Sequence, residues 1–229
     1  MKYNQDGEIE SDIQTNIAEN REILKPFIFE YQDSEYIIIT FRRDEWENSS
    51  ATVFLDTEIY TFDELNMIES HSLDTGYWDD SYTNHLKNIS TIKKIFINGQ
   101  QNFLIGCKML EGYPIAYSSQ ITYDLLRFVY YNNELELSEI IENSGYKIYN
   151  LPENNEIATI DIYKDAYAEN GGLNYHEEKE YRLKKISFQS STQVNEIFSV
   201  SGNYSYAWGA GTLFYTYFDM PSNFKILNL

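Results

Sequence analysis

The sequence predicts an α+β domain, mostly antiparallel sheet, with its helices grouped in the middle of the chain. Three observations lead there. Runs rich in aromatic and β-branched residues, bounded by turn residues, gather towards both ends of the chain. Between them apolar residues recur at helical spacing, most clearly Ile121, Leu125, Phe128 and Val129 at i, i+4, i+7 and i+8. The segment from Asn203 to Phe218, finally, reads as two aromatic strands about Gly209-Ala210-Gly211.

Taken in order, residues 1–10 are polar and predict a flexible N-terminus, with 11–229 forming a single domain. Ser11 and Gln14 make a capping box for a helix carrying Ile13, Ile17 and Leu24, which Pro26 stops. Phe27–Tyr31 and Tyr36–Arg43 read as a hairpin through Gln32-Asp33-Ser34-Glu35. Strand runs follow at Ala51–Leu55 and Glu58–Thr61. Thr61 and Glu64 make a second capping box, opening a short helix with Leu65 and Ile68 inward. His71–Asp80 reads as a loop, and Tyr82, Leu86 and Ile89 mark the next helix.

Lys94–Ile97, Asn102–Met109 and Tyr113–Tyr117 form a second strand group, punctuated by Asn98-Gly99 and Glu111-Gly112. Two helices come next, the one over Ile121–Val129 and one capped by Asn133 with Leu137, Ile140 and Ile141, ending at Gly145. Glu156–Tyr163, Tyr181–Phe188 and Val194–Val200 are strands, with a polar loop at Asp165–Glu177. In the C-terminal hairpin the expected pairs are Trp208 with Thr212, Tyr206 with Phe214, and Tyr204 with Thr216. Both of its faces are then aromatic, which places it in the core at the centre of a sheet.

Charge narrows the function. The 229 residues carry 36 acids against 17 Lys and Arg, a net −19 spread along the chain and balanced to zero in 201–229. Phosphate is repelled by such a surface, so direct nucleic-acid binding is excluded, whereas a basic protein would be attracted and steered. Cys107 is the sole cysteine, so no internal disulfide forms and a reducing, cytoplasmic setting is expected. The N-terminus lacks an apolar signal segment, and no apolar run reaches membrane-spanning length.

Motifs that carry chemistry are absent. His71, His85 and His176 stand without an HExxH or a cysteine cluster, so no metal or cofactor is expected. Cys107 lies in an apolar strand, as a small buried hydrophobe would. Gly209-Ala210-Gly211 precedes a strand and serves a turn, not a phosphate. Carboxylate pairs are too numerous to single one out.

Two segments stand apart. Asp44-Glu45-Trp46-Glu47 and Tyr77-Trp78-Asp79-Asp80 set tryptophan among acids in polar surroundings. Tryptophan and tyrosine anchor interfaces, and the flanking acids would meet a basic rim. The competing explanation is that Asp79 or Asp80 caps a helix, with Trp46 and Trp78 lying back as lids on the core. The expectation is therefore an acidic cytoplasmic inhibitor of a basic, nucleic-acid-handling protein. Such a protein is an immunity protein against a nuclease toxin, or a phage inhibitor of a defence nuclease such as an anti-CRISPR. The alternatives are a carboxylate enzyme such as a sugar hydrolase, or a carbohydrate- or peptide-binding module using surface tyrosines. A pocket lined by close carboxylates would mark the enzyme, and a convex acidic surface the inhibitor.

Overall fold

A computed structural model describes residues 2–3, 9–11, 21–79, 82–113, 118–132, 134–145, 147–151, 155–169, 174–207 and 213–215. Among these there are fifteen strands and no helix: the fold is all-β, not α+β. In chain order they are β1 (Lys2–Tyr3), β2 (Ile9–Ser11), β3 (Arg21–Tyr31), β4 (Ser34–Glu47) and β5 (Ser50–Thr61). Next come β6 (Met67–Trp78), β7 (Thr83–Ile97), β8 (Gln100–Tyr113), β9 (Ser118–Tyr131) and β10 (Glu134–Ile141). The last are β11 (Lys147–Asn150), β12 (Glu156–Glu169), β13 (Asn174–Phe188), β14 (Thr192–Ala207) and β15 (Leu213–Tyr215). No helix is present that is long and apolar enough to cross a membrane, among the described residues.

β1 and β2 pair with each other, and all other strands belong to one antiparallel sheet. Its order is β15-β14-β13-β12-β9-β8-β7-β6-β5-β4-β3, with β10 beside β9 and β11 beside β12. Short turns set the register. Gln32 and Asp33, both at positive φ, close the β3–β4 hairpin, and Asn98-Gly99 closes β7–β8. Pro26, expected to end a helix, pairs with Ile39 on β3, where an edge strand tolerates a missing N–H.

The sheet folds over itself. β6 and β7 pair only through Tyr77↔Asn84 and Trp78↔Thr83 and then separate, so β3–β6 pack across one face of β7–β10. Phe29, Ile38, Val53, Leu55, Phe103, Ile105, Leu126 and Phe128 fill the space between. On the opposite face of β7–β9, Ile95, Leu104 and Leu125 pack with Ile148, Ile157, Ile186 and Phe188 of β11–β13. β8 is thus buried on both faces, which is why Phe103–Cys107 reads as an unbroken apolar run. Each fully buried large side chain here stabilises by about 1.5–3 kcal/mol.

That double burial explains the missing helices. Over β9, Leu126, Phe128 and Tyr130 face one core and Leu125 the other, and their sum imitates a 3.6-residue stripe. Over β7 the cause is different. Bulges between Leu86 and Asn88, and between Ile89 and Thr91, each insert a residue, so Leu86, Ile89 and Ile92 reach the same core three apart. Leu137, Ile140 and Ile141 were expected on one helical face. Instead Leu137 packs on the first core, Ile141 lies in the second, and Ile140 is exposed on β10. Thr61 and Glu64, expected to open a helix with Leu65 and Ile68 inward, form no capping box: the Thr61 hydroxyl accepts from Asn66 N–H and its carbonyl from Leu65 N–H, closing a turn. Leu65 at φ 55° ends the chain's single turn there, and β6 begins at Met67. Leu24 lies in β3, while Ile13 and Ile17 fall outside the described residues.

The His71–Asp80 stretch is strand through Trp78, and most of Asp165–Glu177 extends β12 and β13. β14 and β15 do form the C-terminal hairpin, but at the end of the sheet and not its centre. Their register is Tyr206↔Leu213, Ser205↔Phe214 and Tyr204↔Tyr215, one residue from the expected pairing. Trp208 and the glycine turn lie outside the described residues.

Candidate functional site

The two tryptophan segments, far apart in the chain, come together. Trp46 on β4 and Trp78 on β6 both pair with Ala51, from either side of β5. Residues in register project to the same face, and Ala51 is small, so the two indoles close over it. They meet edge to face, centroids 4.5 Å apart and planes at 83°. Trp78 is partly buried against the main core, whereas Trp46 is 53% exposed. Tyr77, on the opposite face of β6, is exposed and lies 6.0 Å from Tyr82.

The acids around them are mostly engaged. Arg42 grips Asp44 with a two-pronged pair at 2.8 and 2.9 Å, and Arg43 pairs with Glu45 on the other face of the strand. Arg43 also donates to Asp56 at 2.8 Å and to Ser72 at 3.0 Å. Arg21 reaches Asp56 and Glu58 from β3. Burial alone would raise the Asp56 carboxyl, but hydrogen bonds from Arg43 and Ser72 outweigh it and hold it below the usual carboxylate range. Asp79 is a cap, though not of a helix: Tyr82 N–H donates to its Oδ1 at 2.6 Å and closes the turn between β6 and β7. Glu47 is exposed at the end of β4, and Asp80 lies outside the described residues.

Beside this end of the sheet lies a groove of about 510 Å³ that the sequence reading missed. Its floor comes from the inward positions of β8 and β9. On β8 these run Phe103, Ile105, Cys107, Met109, Glu111, and on β9 Phe128, Leu126, Asp124, Thr122, Gln120. Both rows turn from apolar to polar as they leave the core. Gly76, Asn84, Glu142 and Tyr163 wall the opening. Asp124 accepts from Asn143 N–H at 2.8 Å, and Gln120 donates to the Tyr163 hydroxyl at 2.8 Å. Burial, reinforced by Glu142 and Asp161, raises the Asp124 carboxyl. Read as a strand, the period-two row Gln120-Thr122-Asp124 ahead of Leu126-Phe128-Tyr130 would have signalled it; a helical reading hides it.

Behind the groove, Lys184 joins Asp161 at 2.8 Å and the carbonyl of Asn143, and both charged groups are nearly inaccessible. Cys107 is 2% exposed and burial pushes its thiol up, as a packed hydrophobe requires. No three His, Cys, Asp or Glu side chains gather as a metal-holding group among the described residues. No family model, curated protein or solved structure matches the chain.

Proposed function

We propose that this is an acidic cytoplasmic binding protein that neutralises a basic, nucleic-acid-handling protein, as an immunity protein or an inhibitor of a defence nuclease does. The observation that carries the reading is the convergence of Trp46 and Trp78 at one end of the sheet. A half-exposed indole held edge-on by a second, more buried one is a rigid aromatic anchor, and such anchors supply most binding energy at an interface. The net charge of −19 supplies long-range attraction for a basic surface. Glu47, exposed at the end of β4 next to Trp46, adds an acid at the rim of this anchor, while Tyr77 is exposed on the opposite face of the sheet. Asp44 and Glu45, tied to Arg42 and Arg43, act instead by fixing the strand that presents Trp46.

The test is capture of partners from the native host by the wild-type chain and by Trp46→Ala, followed by kinetics at several salt concentrations. A basic protein retained by the wild type, lost by Trp46→Ala and associating more slowly as salt rises supports the proposal. Equal retention by Trp46→Ala, or a salt-independent on-rate, overturns it.

A further inference from the structure

We propose that the groove between β6, β8, β9 and β12 binds a small neutral carbohydrate, at a site separate from the tryptophan end. Its volume of about 510 Å³ falls within the ~300–1,000 Å³ of small-molecule sites. The inward rows of β8 and β9 could have stayed apolar and closed the core. They present Gln120, Thr122, Asp124 and Glu111 instead, so the sheet builds a polar interior surface at this point.

The lining selects the chemistry of the ligand. Amides of Asn84 and Gln120 and the hydroxyl of Thr122 stand among the carboxyls of Glu111, Asp124 and Glu142. Each hydroxyl of a sugar both donates and accepts, and this mixture answers both needs at neighbouring positions. An anion would meet three carboxyls and no lysine or arginine in the lining. An apolar ligand would find little beyond Met109 and the Tyr163 ring.

The polar groups are also held in place. Tyr163 accepts from Gln120, Tyr82 donates to Glu111 at 2.5 Å, and Asn143 N–H donates to Asp124. Each anchor leaves further hydrogen-bonding capacity for a ligand while fixing orientation. The wall is equally fixed: Gly76, at φ 118°, brings β6 so close to β7 that a Cβ there would lie 2.0 Å from the Asn84 carbonyl oxygen.

Saturation-transfer NMR on the full chain, with glucose, galactose, mannose, N-acetylglucosamine, maltose and cellobiose as probes and spermidine as a cationic comparison, tests the assignment. At least one sugar is expected to bind. Glu142→Gln, at an exposed position, and Gln120→Ala should each weaken that binding tenfold or more with an unchanged circular-dichroism spectrum. Trp46→Ala should leave it intact, which separates this site from the proposed protein interface. Silence from every sugar, binding by spermidine alone, or full sugar affinity in a folded Glu142→Gln protein would overturn it.

Discussion

Trp46 and Trp78 meet edge to face over Ala51, their centroids 4.5 Å apart, although each belongs to a different acidic segment of the chain. One indole is half in solvent and the other packs on the core, so the same residue type has two duties here.

Truncation should separate those duties. Trp46→Ala is expected to cost about 1 kcal/mol of stability, the value of an aromatic pair, while removing most partner affinity. Trp78→Ala should cost roughly 3 kcal/mol, since it also opens a gap beside the main core. Urea titrations of both variants decide this, and equal losses would mean that Trp46 is as structural as Trp78.

Asp161, 2% exposed, pairs with Lys184 at 2.8 Å and more distantly with Arg182 at 3.8 Å. Lys184→Met should therefore destabilise by about 3 kcal/mol, because it leaves a buried carboxylate with only the more distant Arg182. Adding Asp161→Leu should restore much of the loss. A single variant within 1 kcal/mol of wild type would show that the pair is dispensable.

Gly76 and Gly99 both sit at positive φ, but their surroundings differ. Alanine at Gly99 enters open space and should cost about 1 kcal/mol from backbone strain alone. Alanine at Gly76 would strike the Asn84 backbone and force β6 from β7, for roughly 3–4 kcal/mol. Thermal melts of the two variants side by side give the comparison, and similar melting temperatures would contradict the close approach.

His85 gives a pH dependence with a definite sign. Burial first, then the charge of Arg42, lowers its imidazole from 6.5 to about 4, against the opposing pull of Asp44. The folded state therefore favours neutral His85, and the unfolded chain takes up its proton first as pH falls. Stability from this group is complete above about 6.5 and is lost as pH drops towards 4, by at most ~1.4 kcal/mol per pH unit. Asp124 and Asp161, both raised, titrate in the opposite sense, so the test is the difference between wild type and His85→Gln. Parallel stability–pH curves for the two would refute it.

Much of the chain was legible without its fold. Asn98-Gly99 announces its turn because few residues accept those backbone angles, and the β3–β4 hairpin is announced by the two strand-like runs that flank Gln32–Glu35. Cys107 was readable as core from its apolar run, and the tryptophan segments stood out because indoles are rare among acids. These are local properties, and the sequence by itself determined them.

Strand identity in the middle of the chain was decided elsewhere. A strand covered on both faces shows no alternation, and a bulged one repeats every three residues, so β9 and β7 each carry a helix-like pattern. Only their neighbours across the two cores supply the partners that make extended backbone the lower-energy choice. The partners of Asp44 and Glu45 are local, two residues back on the same strand. The meeting of Trp46 with Trp78 depends instead on the registers of β4 and β6 against β5, and the groove over Met109 on where the sheet folds between β6 and β7, both set by contacts between residues distant in sequence.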